Sequence, residues 1–271
     1  MHPLHLIAQA ARMTRRDWRA GELRLLGAAL VLAVAAVTSV GFFVDRIRLG
    51  LQRDATQLLG ADVVMSSDQP IGADLIARAQ RDGLQVAQTV IFPSMAVNAE
   101  DPNLNALAAV KAVSPGYPLR GTLRVQSAPD AADEPARAIP DPGTVWIDPQ
   151  AANALRLEPG GRLKLGEMTF SVTRLITIEP DRGSGFINFA PRVMLNLADL
   201  PATQLIQPGS RVTYRLLVAG ERNAVRAYSA WLAERLGRGQ HLESLEGGRP
   251  EMARTLSGRS ASCRWWRCWP P

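Results

Sequence analysis

Few residues in this 271-residue sequence have the type and spacing for chemistry, and they gather near its ends. Its histidines are His2, His5 and His241, so a metal cluster or a Ser/His/Asp triad in the body of the chain would rest on His241 alone. The two cysteines, Cys263 and Cys268, lack the second ligand pair that a zinc site requires. The stretch IEPDRGSGF brings together Glu179, Asp181, Arg182 and Ser184, residue types that acid–base or metal chemistry uses. No partner motif accompanies them, and the expectation is a solvated loop. The sequence has no G-x-x-x-x-G-K-[ST], and the glycines of EPGGRLKLGE fall in a hairpin rather than ahead of a helix, which excludes ATP hydrolysis by this chain. The prediction is therefore no catalytic, cofactor-binding or metal-binding residue, and no enzyme.

The charge balance is basic, with a formal net charge of +6. Residues 1–24 hold five Arg against Asp17 and Glu22, and residues 252–271 hold four Arg and no acid, so the stretch between is near neutral. A nucleic-acid groove needs Lys and Arg clustered within the folded body, and this distribution argues against one. Lys111 and Lys164 are the only lysines, and the abundance of Arg, Ala, Gly and Pro points to a gene rich in G and C.

What would position any site starts with residues 25–44, LLGAALVLAVAAVTSVGFFV, which are uncharged. A helix of that length covers the roughly 30 Å hydrocarbon core of a bilayer at about 1.5 Å per residue. Buried core helices rarely run so far without a charge, and a cleaved signal would have a shorter apolar region and a small-residue cleavage site where Phe42-Phe43-Val44 stands. A transmembrane anchor is preferred to both. Arg12, Arg15, Arg16, Arg19 and Arg24 before the run outweigh Arg46, Arg48 and Arg53 after it, which predicts the N-terminus inside and the bulk of the chain outside. Leu4, Ile7, Ala8, Ala11 and Trp18 give the cytoplasmic basic leader, 1–24, the spacing of an amphipathic helix on the inner membrane face.

Helical periodicity continues through Ile47, Leu51, Ala55 and Leu58 or Leu59 to Gly60. ADVVMSS reads as a strand, GADLIARAQRDG as a helix, and QVAQTVIFPSMAVNA and ALAAVKAVS as two strands. Composition shifts over 115–143, where SAPDAADEPARAIPDPG is expected to be an exposed loop. Beyond it come the strand TVWID, a short helix started by Asp148-Pro149, a hairpin turning at Gly166-Glu167 in a II′ geometry, the strand FAPRVMLNL and a helical turn in LADLPATQL. RVTYRLLVAG, NAVRAYSAWLAERLG and QHLESL close the pattern as strand, helix and strand. The fold class predicted is α+β: a lobe from 61–113 plus 210–246, interrupted by a β-rich insertion over 118–204, all within an outer domain of 45–251.

RRDWRAGELRLL, an apolar span ending GFFVDR, and LLGADVVMSS together resemble the start of an FtsX/MacB-like ABC transporter permease, in particular the YbbP-type branch. The resemblance covers residues 12 to about 252. It implies an inner-membrane protein, single-pass here, with a MacB-like periplasmic core domain. It also implies a separate ABC ATPase subunit, a periplasmic hydrolase as a further partner, and a homodimer as one assembly. Lipid or lipophilic-substrate export is the transport class it suggests. The rival readings are a single-span periplasmic interaction or scaffold module and a secreted enzyme.

Family members continue into further transmembrane helices, whereas this chain ends in SCRWWRCWPP. Tryptophan has a single codon, TGG, and shifting this stretch by one base turns it into an apolar run of Leu, Val and Ala. The expectation is a truncated permease subunit whose residues 252–271 are an aberrant, disordered tail translated out of frame.

Overall fold

The computed structural model describes residues 22–182, 189–207 and 209–244. The amphipathic leader, Ser184, His2, His5, both cysteines and the 252–271 tail lie outside the described residues. The chain divides into two compact units, Met1–Arg53 and Asp54–Pro271.

Helix α1 runs over Glu22–Leu59. Within it, Gly27–Val44 is long and apolar enough to cross a membrane, and none of that window is buried. Leu30, Val31, Leu32, Val37, Phe42 and Phe43 all point outward, an arrangement that is costly in water and favourable in lipid. The hydroxyl of Thr38 donates to the Val34 carbonyl at 2.7 Å, so this polar group of the run is satisfied inside the helix. Gly60 ends α1 with φ +69, the left-handed conformation that glycine adopts freely after a helix C-terminus.

Among the described residues, the second unit is built on one mixed sheet of eleven strands. Its elements are β1 Val63–Ser67, α2 Ala73–Arg81, β2 Gln85–Asn98, β3 Asn105–Val113, β4 Arg124–Gln126, β5 Glu134–Pro135, β6 Thr144–Ile147, α3 Pro149–Leu155, β7 Arg162–Leu165, β8 Met168–Ile178, β9 Arg192–Asn196, α4 Leu200–Thr203, β10 Thr213–Ala219, α5 Arg222–Ala233 and β11 Gln240–Ser244. The strand order is β11-β1-β10-β2-β3-β9-β6-β8-β4-β5, and β7 pairs with both β2 and β8. That double pairing closes a ring, since β2, β3, β9, β6, β8 and β7 are each bonded to the next and β7 returns to β2. Two of these contacts, β3 with β9 and β6 with β8, are parallel.

Alternation along each strand fills the ring. Leu163 and Leu165 of β7 point in while Arg162 and Lys164 point out. Phe92, Val110, Val145, Phe170, Val172, Val193 and Leu195 join them, with Ala151 and Leu155 of α3. Asp148 starts α3 as the sequence predicts: its carboxylate accepts the Ala151 N–H at 2.8 Å, and Pro149 occupies the first turn, where no donor is needed. The β7–β8 hairpin turns at Gly166, φ +57, and a Cβ there would meet the Thr203 carbonyl at 2.1 Å, so only glycine fits.

A second apolar group covers α2 and α5 on one side of β1, β10 and β11. Val63, Met65, Leu216 and Val218 meet Ala79, Val225, Tyr228 and Leu232 there. The buried residues of α5 recur at three- and four-residue spacing, which is why this segment reads as amphipathic in sequence. The segment SAPDAADEPARAIPDPG, expected to be an exposed loop, is mostly exposed and carries the two-residue β5, but just before it the structure adds a strand that the sequence reading leaves out. Strand β4 lies there, and Leu123 and Val125 are buried against Trp146 and Ile176. Two apolar residues amid Pro, Ala and Asp are too few for a period to register.

Candidate functional site

The opposite face of the same sheet carries a buried cluster of charges. In β3, Ala108, Val110 and Ala112 face the ring interior, so the two-residue period turns Lys111 and Val113 to the other side. Arg192 and Met194 of β9, and Arg215 and Leu217 of β10, take that same side, because Val193, Leu195, Leu216 and Val218 take the other. Register then brings the charges together: Ala109 pairs with Arg192, Lys111 with Met194 and Ile91, and Thr213 with Ile91.

The acids come from the segment that follows β8. Lys111 Nζ donates to Glu179 at 2.7 Å, to Asp181 at 2.6 Å and to the Tyr117 hydroxyl at 2.7 Å. Arg192 Nε donates to the second oxygen of Glu179 at 2.9 Å, and Arg215 to the second oxygen of Asp181 at 3.3 Å. Tyr117 donates its hydroxyl proton to Asp181 in a short bond, and Lys111 also lies 4.5 Å from the centre of the Tyr117 ring. The side chains of Lys111, Glu179, Asp181 and Arg192 are fully buried. Arg182 turns outward to Asp148 at 2.8 Å, tying the acidic segment to the cap of α3.

Burial alone would raise the Asp181 pKa, but the attraction of Lys111 and Arg215, with hydrogen bonds from Lys111 and Tyr117, holds it below the usual carboxylate range. Tyr117 is pushed well above the ordinary phenol value by burial and by the two adjacent carboxylates. Both shifts favour the same state of this pair, with the Asp181 carboxylate ionised and the Tyr117 phenol neutral. Lys111, Glu179, Asp181 and Arg192 present no side-chain surface to solvent, and Arg215, of the cluster's ion-paired groups, reaches it in part. Clefts of about 380 Å³, lined by Val90, Leu200 and Tyr214 among others, and of about 530 Å³, around Met95 and Lys164, lie elsewhere on the domain and include none of its residues.

The sequence reading of IEPDRGSGF as a solvated loop is therefore corrected for Glu179 and Asp181, which are interior. The cause is Lys111, which needs carboxylates once both faces of β3 are covered. The signal was present in ALAAVKAVS, an unbroken apolar run with one lysine and no alternation, which marks a strand buried on both sides. His241 lies in β11, as the sequence predicts, where its backbone pairs with Ser66.

A scan against protein-family models finds no match. The chain is 32% identical over 246 residues to the uncharacterized ABC transporter permease YbbP of Escherichia coli K12, a match that covers 91% of this chain and 29% of the relative. Among solved structures it is similar to the periplasmic region of MacB from Actinobacillus actinomycetemcomitans, with 10% identity, a TM-score of 0.44, and coverage of 74% of this chain and 95% of that one. It is also similar to a domain of a protein described as a permease from Porphyromonas gingivalis, with 13% identity, a TM-score of 0.41, and coverage of 68% and 89%. By sequence, the chain is similar to the ABC transporter permease YbbP over a stretch that spans 29% of the length of that relative.

Proposed function

We propose that the chain serves as the anchor and outer domain of an ABC transporter permease subunit. Residues 25–44 cross the inner membrane once, residues 1–24 stay in the cytoplasm, and residues 45–251 lie in the periplasm, with the 61–113 plus 210–246 lobe and the 118–204 insertion as its parts. The observation that carries this reading is the 32% identity to a permease across 91% of the chain, which takes in an outward-facing apolar helix and the folded unit after it. ATP hydrolysis belongs to a separate ATPase subunit, since no phosphate-binding loop is present in the sequence. The outer domain couples to substrate or to a periplasmic partner, with a hydrolase and a second copy of the chain as the partners to test, and lipids or other lipophilic molecules as the transported class. No residue of the chain acts catalytically in this reading, and the Lys111 cluster is structural.

Topology is the direct test. Alkaline phosphatase fused after residue 100 should be active in a Gram-negative host, because the upstream arginines hold the N-terminus inside. An inactive fusion, with an active cytoplasmic reporter at the same position, overturns the orientation and with it the periplasmic assignment.

A further inference from the structure

The Lys111 cluster touches one element that its hydrogen bonds do not reveal. A Cβ built on Gly60 would stand 3.2 Å from Asp181 Cβ and 3.3 Å from its Cγ, so the Asp181 side chain rests against the residue that ends α1. The same carboxylate is held by Lys111 of β3, by Arg215 of β10 and by Tyr117. Around it the chain is pinned by a second device: the Gly60 carbonyl accepts the Arg120 N–H at 2.8 Å, and Asp62 accepts Arg120 at 3.0 and 2.8 Å and the Gly220 N–H at 3.0 Å. Leu59 packs on the apolar group beneath.

Taking two charges out of water costs about as much as their attraction returns, so a balanced neutral replacement of a buried pair is often close to neutral in stability, whereas removal of one partner is not. A pair kept under those terms contributes geometry. We propose that the Lys111–Asp181 pair is a latch on the end of α1, fixing Gly60–Asp62 against β3 and β10, and that its charge balance sets this joint rather than the stability of the whole domain. The proposal goes beyond the permease reading and stands or falls without it.

The experiment uses the full chain in detergent and the double variant Lys111→Met/Asp181→Asn. This variant removes one charge of each sign and leaves the Glu179–Arg192 bond and the side-chain shape against Gly60. The expected result is a melting temperature within about 4 °C of wild type, with amide exchange in the peptide holding Leu59–Asp62 faster by about tenfold or more, and unchanged exchange in the β7–β8 hairpin. Unchanged exchange at Leu59–Asp62 in the folded variant overturns the latch, as does equal acceleration in the hairpin, which reports global loosening. Should the double variant fail to fold, Gly60→Ala supplies the reciprocal test, because coupling between two sites runs both ways. Its added methyl crowds Asp181, and exchange in β3 and β10 should rise above that of the hairpin; no difference between them refutes the proposal.

Discussion

Strand β10 belongs to two interiors built on different terms. Its residues Leu216 and Val218 face α2 and α5 in a buried apolar layer, while Arg215, one position away, faces the Lys111 cluster on the other side. In the apolar layer the favourable term scales with area, so it can be lost a methylene at a time. In the ionic cluster each charge is tolerated only because its partners are present, so loss comes in whole units. The same sheet thus has one face that degrades gradually and one that fails when a single member is removed.

The largest expected effect tests the ionic face. Lys111→Met alone withdraws the donor shared by Glu179, Asp181 and Tyr117. A loss of about 3–5 kcal/mol is expected, measured by urea unfolding in detergent; a loss under about 1 kcal/mol would erase the contrast between the faces. On the apolar face Leu232→Ala should cost about 3 kcal/mol, with smaller truncations costing proportionately less. A graded series there, against an all-or-none series at the cluster, is the signature to seek.

Low pH separates the faces further, whereas high pH acts on both. Asp181 has a folded pKa below its unfolded value, so the stability it contributes is complete above about pH 4 and is lost as pH falls through the lower folded value. Tyr228, in the apolar layer, has its pKa raised to about 12 by burial and by Asp74 and Asp82. Its contribution is therefore complete below the unfolded value of about 10 and lost as pH rises from there toward 12. Melting curves should show an acid limb that Lys111→Met/Asp181→Asn flattens and an alkaline limb that Tyr228→Phe reduces only in part, because the raised phenol of Tyr117 in the ionic cluster contributes to the same limb; Tyr228→Phe also gives up the bond to the Leu75 carbonyl at 3.1 Å. An acid limb flattened by Tyr228→Phe and untouched by Lys111→Met/Asp181→Asn would invert the assignment. The smallest effect belongs to the surface: Arg235 stacks 4.6 Å from the Trp231 ring centre while half exposed, and Arg235→Ala should shift stability by under about 1 kcal/mol.

Much of this fold was legible because its elements are periodic. The span, α2, α5 and the long strands have apolar residues at fixed intervals, and Asp148-Pro149 and Gly166 are local signals whose meaning does not depend on the rest of the chain. Pairing was less legible. The ring closed by β7 depends on β2 being long enough to pair with β10 over residues 85–91 and with β7 over 96–98, and length alone does not disclose two partners on one edge. The cluster was half visible: Lys111 marks itself by its apolar surroundings, but Glu179 and Asp181 look like surface acids beside Pro180 and Gly183. Only the fold brings them to the lysine, 68 and 70 positions away.

Chain order also separates what can assemble early from what must wait. All six strands of the ring lie between Gln85 and Asn196, so it closes from one continuous stretch, with no contribution from either end of the domain. Strand β1 precedes that stretch yet pairs with β10 and β11, which follow it, and the Asp62–Gly220 bond joins positions 158 apart. A chain emerging from its N-terminus therefore has β1 in hand long before it has anything for β1 to pair with. The ring is the natural seed, and the joint at the end of α1 is set after it, since Arg215 reaches Asp181 only after everything between them has been made.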